Sequence, residues 1–170
     1  TPSIAGTSES MTVSGLSSGT TYYFAIKTSD EVPNESAISN VPSLATTSPD
    51  TTAPDAVTDL ALSDPSNSAM TVSWTAPGDD GSSGTASSYD IRYSTSEITA
   101  GNWSSATAVT GEPTPSVAGS NESMTLSGLS ASTLYYFALK TSDEVPNESG
   151  LSNVPSNTTS AAAASTPSTG

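Results

Sequence analysis

Residues 135–149 have the sequence Tyr-Tyr-Phe-Ala-Leu-Lys-Thr-Ser-Asp-Glu-Val-Pro-Asn-Glu-Ser, and residues 22–36 repeat it with one change, Ile26 in place of Leu139. The repetition extends upstream in both copies, to Thr114 and to Thr1, at a spacing of about 113 residues. Several of the other differences are aliphatic exchanges, which a packed core tolerates because apolar volume is kept. The chain therefore contains one complete module and the C-terminal part of another. The exchanges include Ile4/Val117, Val13/Leu126 and Ile38/Leu151.

The composition excludes several functions. The 170 residues include 17 acidic and three basic side chains, giving a formal charge of −14, and there is no Cys or His. Without Cys there is no disulfide or thiolate nucleophile, and without His the commonest general base and transition-metal ligand is missing. Nucleic acids and anionic lipids need clustered Lys and Arg, so neither is an expected partner. No apolar run approaches the roughly 20 residues of a membrane helix, so no membrane insertion is expected.

Apolar and polar residues alternate in several short segments, as they do in half-buried strands. Examples are Met70-Thr-Val-Ser-Trp74 and Tyr89-Asp-Ile-Arg-Tyr93. Turn-forming clusters separate them, such as Pro77-Gly-Asp-Asp-Gly-Ser-Ser-Gly84. No segment has the apolar spacing of an amphipathic helix. Short strands with polar turns predict an all-β sandwich.

The order of these segments resembles the fibronectin type III family, an immunoglobulin-like β-sandwich. The resemblance implies that Trp74 is the family's strand B tryptophan and that Tyr135 is its tyrosine corner, with Tyr22 in the partial copy. It covers strand A (54–62), strand B (70–77), strand C (89–93), and the E–F corner with strand F (128–140).

We predict tandem modules with a Ser/Thr/Ala-rich tail. Residues 1–48 would be strands E, F and G of one module, 49–55 a linker, 56–158 a complete module and 159–170 a linker or tail. A C′ strand is expected near Trp103 to Val109. The predicted core comprises Val57, Leu60, Leu62, Met70, Val72, Trp74, Tyr89, Ile91, Tyr93, Met124, Leu126, Leu129, Tyr135, Phe137, Leu139, Leu151 and Val154.

Strands E, F and G alone cannot bury their apolar side chains. Either strands A–D precede Thr1 in a longer polypeptide, or a neighbouring molecule supplies strands in trans. We favour the first. The side chains concerned are Met11, Val13, Leu16, Tyr22, Phe24 and Ile26.

Several acidic residues are expected at one end of the sandwich, where the B–C and F–G loops meet the entering linker. Converging carboxylates with glycine turns suit a hard cation such as Ca²⁺. The turn preference of Asp and Gly accounts for the same residues without a metal, so both interpretations remain open. The candidate ligands are Asp50, Asp55, Asp79, Asp80, Asp143 and Glu144.

Other candidate sites are weaker. The same carboxylates have no substrate cleft around them, so the chain is not expected to be an enzyme. Tyr23 and Tyr136 suggest either an aromatic strip for carbohydrate or, as we favour, a cover for the neighbouring strand. Asn-x-Ser/Thr sequons, candidate glycosylation sites, occur at Asn34, Asn102, Asn121, Asn147 and Asn157.

The sequence therefore predicts a non-catalytic, extracellular module of a microbial surface or fibre protein, with a structural or adhesive role. Its partners would be neighbouring repeats or like subunits. One alternative is a spacer or carbohydrate-binding accessory module of a secreted polysaccharide-degrading enzyme. The other is a filament subunit that assembles by strand complementation.

Overall fold

The structure is a computed structural model that describes residues 2–32, 34–145 and 147–163. The chain divides into two compact units, Thr1–Asp50 and Thr51–Gly170. Residues 164–170 of the expected tail lie outside the described part. Within the described part, no helix has both the length and the apolar character needed to cross a membrane.

The second unit is a sandwich of two antiparallel sheets. A three-stranded sheet has the order β3 (Ala61–Ser63), β4 (Ala69–Thr75), β7 (Asn121–Ser127). A four-stranded sheet has the order β6 (Thr107–Ala108), β5 (Ser88–Ser94), β8 (Leu134–Ser142), β9 (Ser156–Thr158). These seven strands confirm the predicted all-β sandwich.

Alternation along the strands explains how the two layers meet. In β4, Met70, Val72 and Trp74 are buried while the residues between them are partly exposed. The partner strand β7 places Leu126 opposite Met70 and Met124 opposite Val72, so both strands turn their apolar side chains to the same face. A shift of one residue would turn every one of these side chains outward, so the apolar pattern fixes the register.

The main core matches the prediction closely. Val109 joins it although the sequence did not identify it. Leu151 and Val154, predicted for this core, instead pack against a second cluster. The residues of the main core are Val57, Leu60, Met70, Val72, Trp74, Tyr89, Ile91, Val109, Leu129, Tyr135, Phe137 and Leu139, with Leu62, Tyr93, Met124 and Leu126 partly buried against them.

The second cluster, which we call the outer cluster, consists of Ile98, Trp103 and Ala138, with Ala106, Tyr136, Leu151 and Val154 packed against them. It covers side chains of β8 that alternate with the core residues. The expected C′ strand at 103–109 was only partly right. Trp103–Ser105 forms a 3-10 turn, and a strand of two residues follows it. Asn102 stabilises this turn by accepting the Thr99 N–H at 2.7 Å and donating to the Glu97 carbonyl at 3.0 Å.

The end of the second unit lies slightly beyond the predicted boundary at 158. Thr159 is buried, and its hydroxyl donates to the Ser130 carbonyl at 2.6 Å. The Ser160 N–H donates to the Ser66 carbonyl at 2.9 Å. These two residues therefore belong to the packed sandwich rather than to a tail.

The first unit contains one antiparallel pair among its described residues, β1 (Thr21–Tyr23) with β2 (Ser43–Ala45). By position in the repeat, these strands are equivalent to β8 and β9. The expected E strand does not form. Its equivalent in the second unit, β7, is hydrogen-bonded to β4. The first unit has no counterpart of β4 within residues 2–32 and 34–50, so a ladder cannot form there.

Candidate functional site

The B–C loop between β4 and β5 carries two of the candidate ligands. The Asp80 and Ser83 backbones exchange hydrogen bonds at 3.1 Å in each direction, and the Asp79 N–H donates to the Ser83 carbonyl at 2.6 Å. A Cβ atom at Gly78 would lie 2.2 Å from the Ser83 nitrogen, so only glycine fits. The loop is therefore a tight turn that brings both aspartates to one end of the sandwich.

The segment that enters the second unit pairs with this loop. The Asp55 N–H donates to the Gly81 carbonyl at 3.0 Å, and the Gly81 N–H donates to the Ala53 carbonyl at 3.1 Å. Gly81 has a φ of +62°, a conformation that favours glycine. The Asp55 carboxylate is close to Gly81, since its oxygens lie 3.6 Å from the position that a Cβ atom would take.

The F–G loop uses Asp143 to hold its own backbone. One carboxylate oxygen accepts the N–H groups of Val145 at 3.0 Å and Asn147 at 2.8 Å, and the other accepts the Asn147 side-chain amide at 2.7 Å. Asp143 is only 4% exposed. Asp143 therefore stabilises its own loop. This is the role expected of an aspartate in a turn when no metal is bound.

The structure thus brings together part of the predicted acidic set. Carboxylate oxygens of Asp79 and Glu144 lie within 4.8 Å of one another. Asp80 is exposed in the turn, and Asp55 faces Gly81. Asp50 is the last residue of the first unit. Two carboxylates at this spacing suit a hard cation. The Ca²⁺ hypothesis stays a prediction beside the local role of Asp143.

The structure also shows a feature that the sequence did not reveal. Trp103 is flanked by two cations: the Arg92 guanidinium lies 4.8 Å from its ring centre and the Lys140 ammonium 5.3 Å. Arg92 is paired with Asp90 at 2.8 Å, and Lys140 with Glu148. The hydrogen bond to Asp90 raises the pKa of Arg92 further, so this cation is permanent. The sequence feature that could have indicated this arrangement is a single tryptophan in an otherwise polar loop segment.

Between the sheets, a buried carboxylate that the sequence did not predict, that of Glu122, lies near two predicted core residues. The Trp74 and Tyr89 rings meet edge to face at 5.1 Å. Glu122, which is buried, accepts the Ser116 N–H with one oxygen. Burial raises the pKa of Tyr89 to about 12, and the Glu122 carboxylate adds to this effect while Trp74 opposes it. This polar group joins β4, β5 and β7 inside the fold.

The tyrosine corner implied by the resemblance is present in both units. The Tyr135 hydroxyl accepts the Ser130 N–H at 3.0 Å, and the Tyr22 hydroxyl accepts the Ser17 N–H at 2.9 Å. Trp74 is 3% exposed, as expected for the strand B tryptophan. Tyr136 packs in the outer cluster, which agrees with its favoured role as a cover.

Three of the sequon amides are engaged in the fold. The Nδ2 groups of Asn34 and Asn147 donate to Asp30 and Asp143 at 2.7 Å, and that of Asn102 donates to the Glu97 carbonyl. A glycan would replace one of the two hydrogens on each Nδ2, so its attachment to the folded chain would compete with these bonds. Asn121 is exposed and Asn157 is partly exposed, so these two remain better candidates.

Comparison with known proteins agrees with this geometry. The profile of the fibronectin type III domain family matches residues 55–161, which includes all seven strands of the second unit. The chain belongs to this family. A fibronectin type III domain is a non-catalytic module, so this part of the chain is not an enzyme, as expected.

One curated relative is Chitinase A1 from Niallia circulans, which is 39% identical over 163 residues. That alignment covers 94% of this chain but only 20% of the relative, so the chain spans about a fifth of its length.

Among solved structures, the chicken CNTN1 FN1-FN3 domains have a TM-score of 0.47 and 19% identity, covering 86% of this chain and 45% of theirs. Domains A168-A170 of titin have a TM-score of 0.43 and 19% identity, covering 69% and 36%. Because both TM-scores are below 0.5, the fibronectin type III assignment relies on the family match and the strand order.

Proposed function

We propose that the chain is a non-catalytic spacer region of a secreted polysaccharide-degrading enzyme. The observation that carries this proposal is the 39% identity to a chitinase across 94% of the chain. Because the fibronectin type III module is not catalytic, hydrolysis would be carried out by sequence outside residues 1–170. An insoluble polysaccharide is degraded outside the cell, so the proposal also implies an extracellular location.

The surface of the second unit favours a spacer over a carbohydrate-binding module. Sugar-binding sites commonly use exposed aromatic rings, but in the second unit the aromatic side chains are buried or partly buried. They are Trp74, Tyr89, Tyr93, Trp103, Tyr135, Tyr136 and Phe137. The outward side chains of β4 and β7 form a hydroxyl-rich face, where the Thr71 and Thr125 hydroxyls lie 3.3 Å apart.

The packing supports the same role. The main core and the outer cluster lie on opposite faces of the four-stranded sheet, so both of its faces are covered. The net charge of −14 and the polar face oppose association with other acidic surfaces. A rigid, highly soluble module of this kind holds neighbouring domains apart without binding their substrate.

The test uses the full-length protein and two variants. One lacks residues 51–160, and the other carries an unrelated rigid sandwich of similar length in their place. We expect deletion to reduce hydrolysis of insoluble chitin severalfold and to leave hydrolysis of a soluble oligosaccharide unchanged. The replacement should restore activity on the insoluble substrate, because a spacer acts through length and stiffness.

Two results would contradict the proposal. Failure of the unrelated module to restore activity would show that this module contacts the polysaccharide itself. A full-length protein with no glycoside hydrolase domain would instead favour the structural or adhesive surface role, which stays a prediction.

A further inference from the structure

The segment that connects β6 to β7 crosses from one sheet of the second unit to the other. Backbone hydrogen bonds fix both of its ends. The Val109 N–H donates to the Ile91 carbonyl at 2.8 Å, and the Gly119 N–H donates to the Ala76 carbonyl at 2.9 Å. Ile91 belongs to β5, and Ala76 directly follows β4. Each end of the segment is therefore attached to a different sheet.

The middle of this segment, residues 110–116, has a single polar attachment. Among the hydrogen bonds that the described residues form, one links this stretch to the rest of the chain: the Ser116 N–H donates to a carboxylate oxygen of Glu122. Glu122 is only 9% exposed, and Pro115, next to the donor, is buried as well. A hydrogen bond to a carboxylate is stronger than one to a neutral acceptor. The position of the middle stretch therefore depends on one buried side chain.

The middle stretch is loosely packed against the neighbouring sheet. A groove of about 260 Å³ lies between residues 112–115 on one side and Ser87, Ser88 and Tyr89 on the other. A close-packed interior leaves few spaces of this size. Gly111, at the start of the stretch, has a φ of +87°, and no described atom other than its chain neighbours lies within 4 Å of the position that a Cβ atom would take. Residues 112–116 can therefore move away from β5 by rotation at this glycine.

The second oxygen of Glu122 is buried inside the sandwich. Glu122 lies opposite Trp74 in the ladder between β4 and β7. Burial and, to a smaller extent, the Glu122 carboxylate raise the pKa of Tyr89, so the Tyr89 hydroxyl is close to this carboxylate. The three Lys and Arg side chains of the protein are paired with other acidic residues. Polar neighbours rather than an ion pair therefore position the Glu122 side chain.

The first unit separates the two roles of this glutamate. There the Ser3 N–H donates to Glu9, again across six residues, although Glu9 is exposed. The bond between serine and glutamate therefore forms from nearby sequence alone. Burial of the second carboxylate oxygen, in contrast, requires β4 and β5, which supply Trp74 and Tyr89.

We propose that residues 110–116 form a strap that opens and closes at the side of the sandwich while both sheets stay intact, and that Glu122 is its latch. In the closed form, one carboxylate oxygen holds the Ser116 N–H and the other lies near the Tyr89 hydroxyl. Opening breaks the bond to Ser116, widens the groove and admits water to Tyr89. The inference concerns the second unit alone and does not depend on the proposed spacer function.

Native-state hydrogen exchange of the 170-residue chain, followed by NMR, tests the strap. We expect the Ser116 amide to exchange about tenfold or more slowly than an unbonded amide, and about tenfold or more faster than the amides of β4, because opening of the strap is local. Low concentrations of denaturant should speed exchange in β4 and hardly affect Ser116, since local opening exposes little surface. Equal rates and equal denaturant dependence for Ser116 and β4 would overturn the proposal. A Ser116 amide without protection would also overturn it.

Matched variants test the latch. Glu122→Ala should speed Ser116 exchange about tenfold relative to the amides of β4, because the acceptor is lost. Glu122→Gln keeps a carbonyl acceptor and should retain most of the protection. Tyr89→Phe removes the hydroxyl near the second oxygen and should speed Ser116 exchange severalfold, whereas Tyr135→Phe should not. Glu9→Ala, the equivalent change in the first unit, should leave Ser116 exchange unchanged.

The comparison with β4 separates a latch from a residue that only stabilises the sandwich. If Glu122→Ala speeds exchange of Ser116 and of β4 by the same factor, Glu122 is not a latch. If that variant does not fold, the natural chain and Tyr89→Phe decide the question. Unchanged Ser116 exchange in Tyr89→Phe would then contradict the role assigned to the second oxygen.

Discussion

The two units carry nearly the same sequence in different surroundings, and the comparison separates local from long-range causes of structure. Bonds that form within one half of the module are the same in both. Asp30 and Asp143 each accept the same two N–H groups of their loops, and the hydroxyls of Ser39 and Ser152 accept the N–H groups of Ile26 and Leu139. Burial of the apolar strand residues, and a strand at the position of β7, occur only in the second unit. Both require the N-terminal half of the module, residues 51–113, which supplies β3 to β6. The conformation of these loops is therefore determined by residues close to them in the sequence, whereas formation of the core requires residues that are distant in the sequence.

The largest difference in stability between equivalent variants of the two units is expected when the phenylalanine that both units share is replaced by alanine. Phe137 is fully buried and Phe24 is 38% exposed. Phe137→Ala should cost about 3–5 kcal/mol of unfolding free energy because it leaves a cavity. Phe24→Ala should leave the second unit unchanged. Both tryptophans lie in the second unit, so denaturant titration followed by tryptophan fluorescence reports on that unit alone. A comparable shift for both variants would contradict the difference in burial.

Alkaline pH should destabilise the second unit through Tyr89, which belongs to the N-terminal half and has no counterpart in the first unit. Its pKa in the fold, about 12, lies above the usual value of 10. The neutral form is therefore favoured, and its contribution is fully present below pH 10. That contribution, about 2–3 kcal/mol, is lost as the pH rises through 12.

The measurement is the unfolding free energy from pH 8 to 12.5 in the natural chain and in Tyr89→Phe. We expect the variant to lose most of the pH dependence. Retention of the full pH dependence in the variant would assign it to other groups.

Removing the hydroxyl group of either tyrosine corner is expected to change the free energy of unfolding less than the changes above. Tyr135→Phe removes the acceptor for the Ser130 N–H and should cost about 1 kcal/mol. In Tyr22→Phe, Ser17 is exposed and its N–H gains a bond to water instead, so the fluorescence transition should not move. Denaturant unfolding followed by tryptophan fluorescence checks this for both variants, and an equal shift of the transition in both would contradict the expected difference.

The Ca²⁺ hypothesis has its own test in the second unit. Ca²⁺ present at 100 times its dissociation constant would raise the free energy of unfolding by about 2.7 kcal/mol. We compare melting temperatures with excess Ca²⁺ and with a chelator, in the natural chain and in Asp79→Asn. A shift that the variant abolishes supports the site. No shift would leave turn formation as the sufficient explanation for these aspartates.

The same distinction between local and long-range causes explains which features could be predicted from the sequence. The strands of the sandwich, Trp74 and Tyr135 could be predicted because alternation and turn residues are local signals. The outer cluster could not, since Trp103 reaches Lys140 from a polar loop with no periodicity. The segment of the first unit that is equivalent to β7 has the sequence of a strand but forms none, because a strand needs a partner and residues 2–32 and 34–50 supply none. Leu151 and Val154 were placed in the wrong layer because apolar character alone does not show which face of a sheet a residue covers.

Native-state hydrogen exchange of the shared strand tests the central claim most directly. The claim is that one sequence is held firmly where the other half of the module covers it and loosely where it does not. We predict that amides of β8 exchange only through global unfolding of the second unit, whereas those of β1 exchange orders of magnitude faster. Equal protection of β1 and β8 in the 170-residue chain would contradict the account.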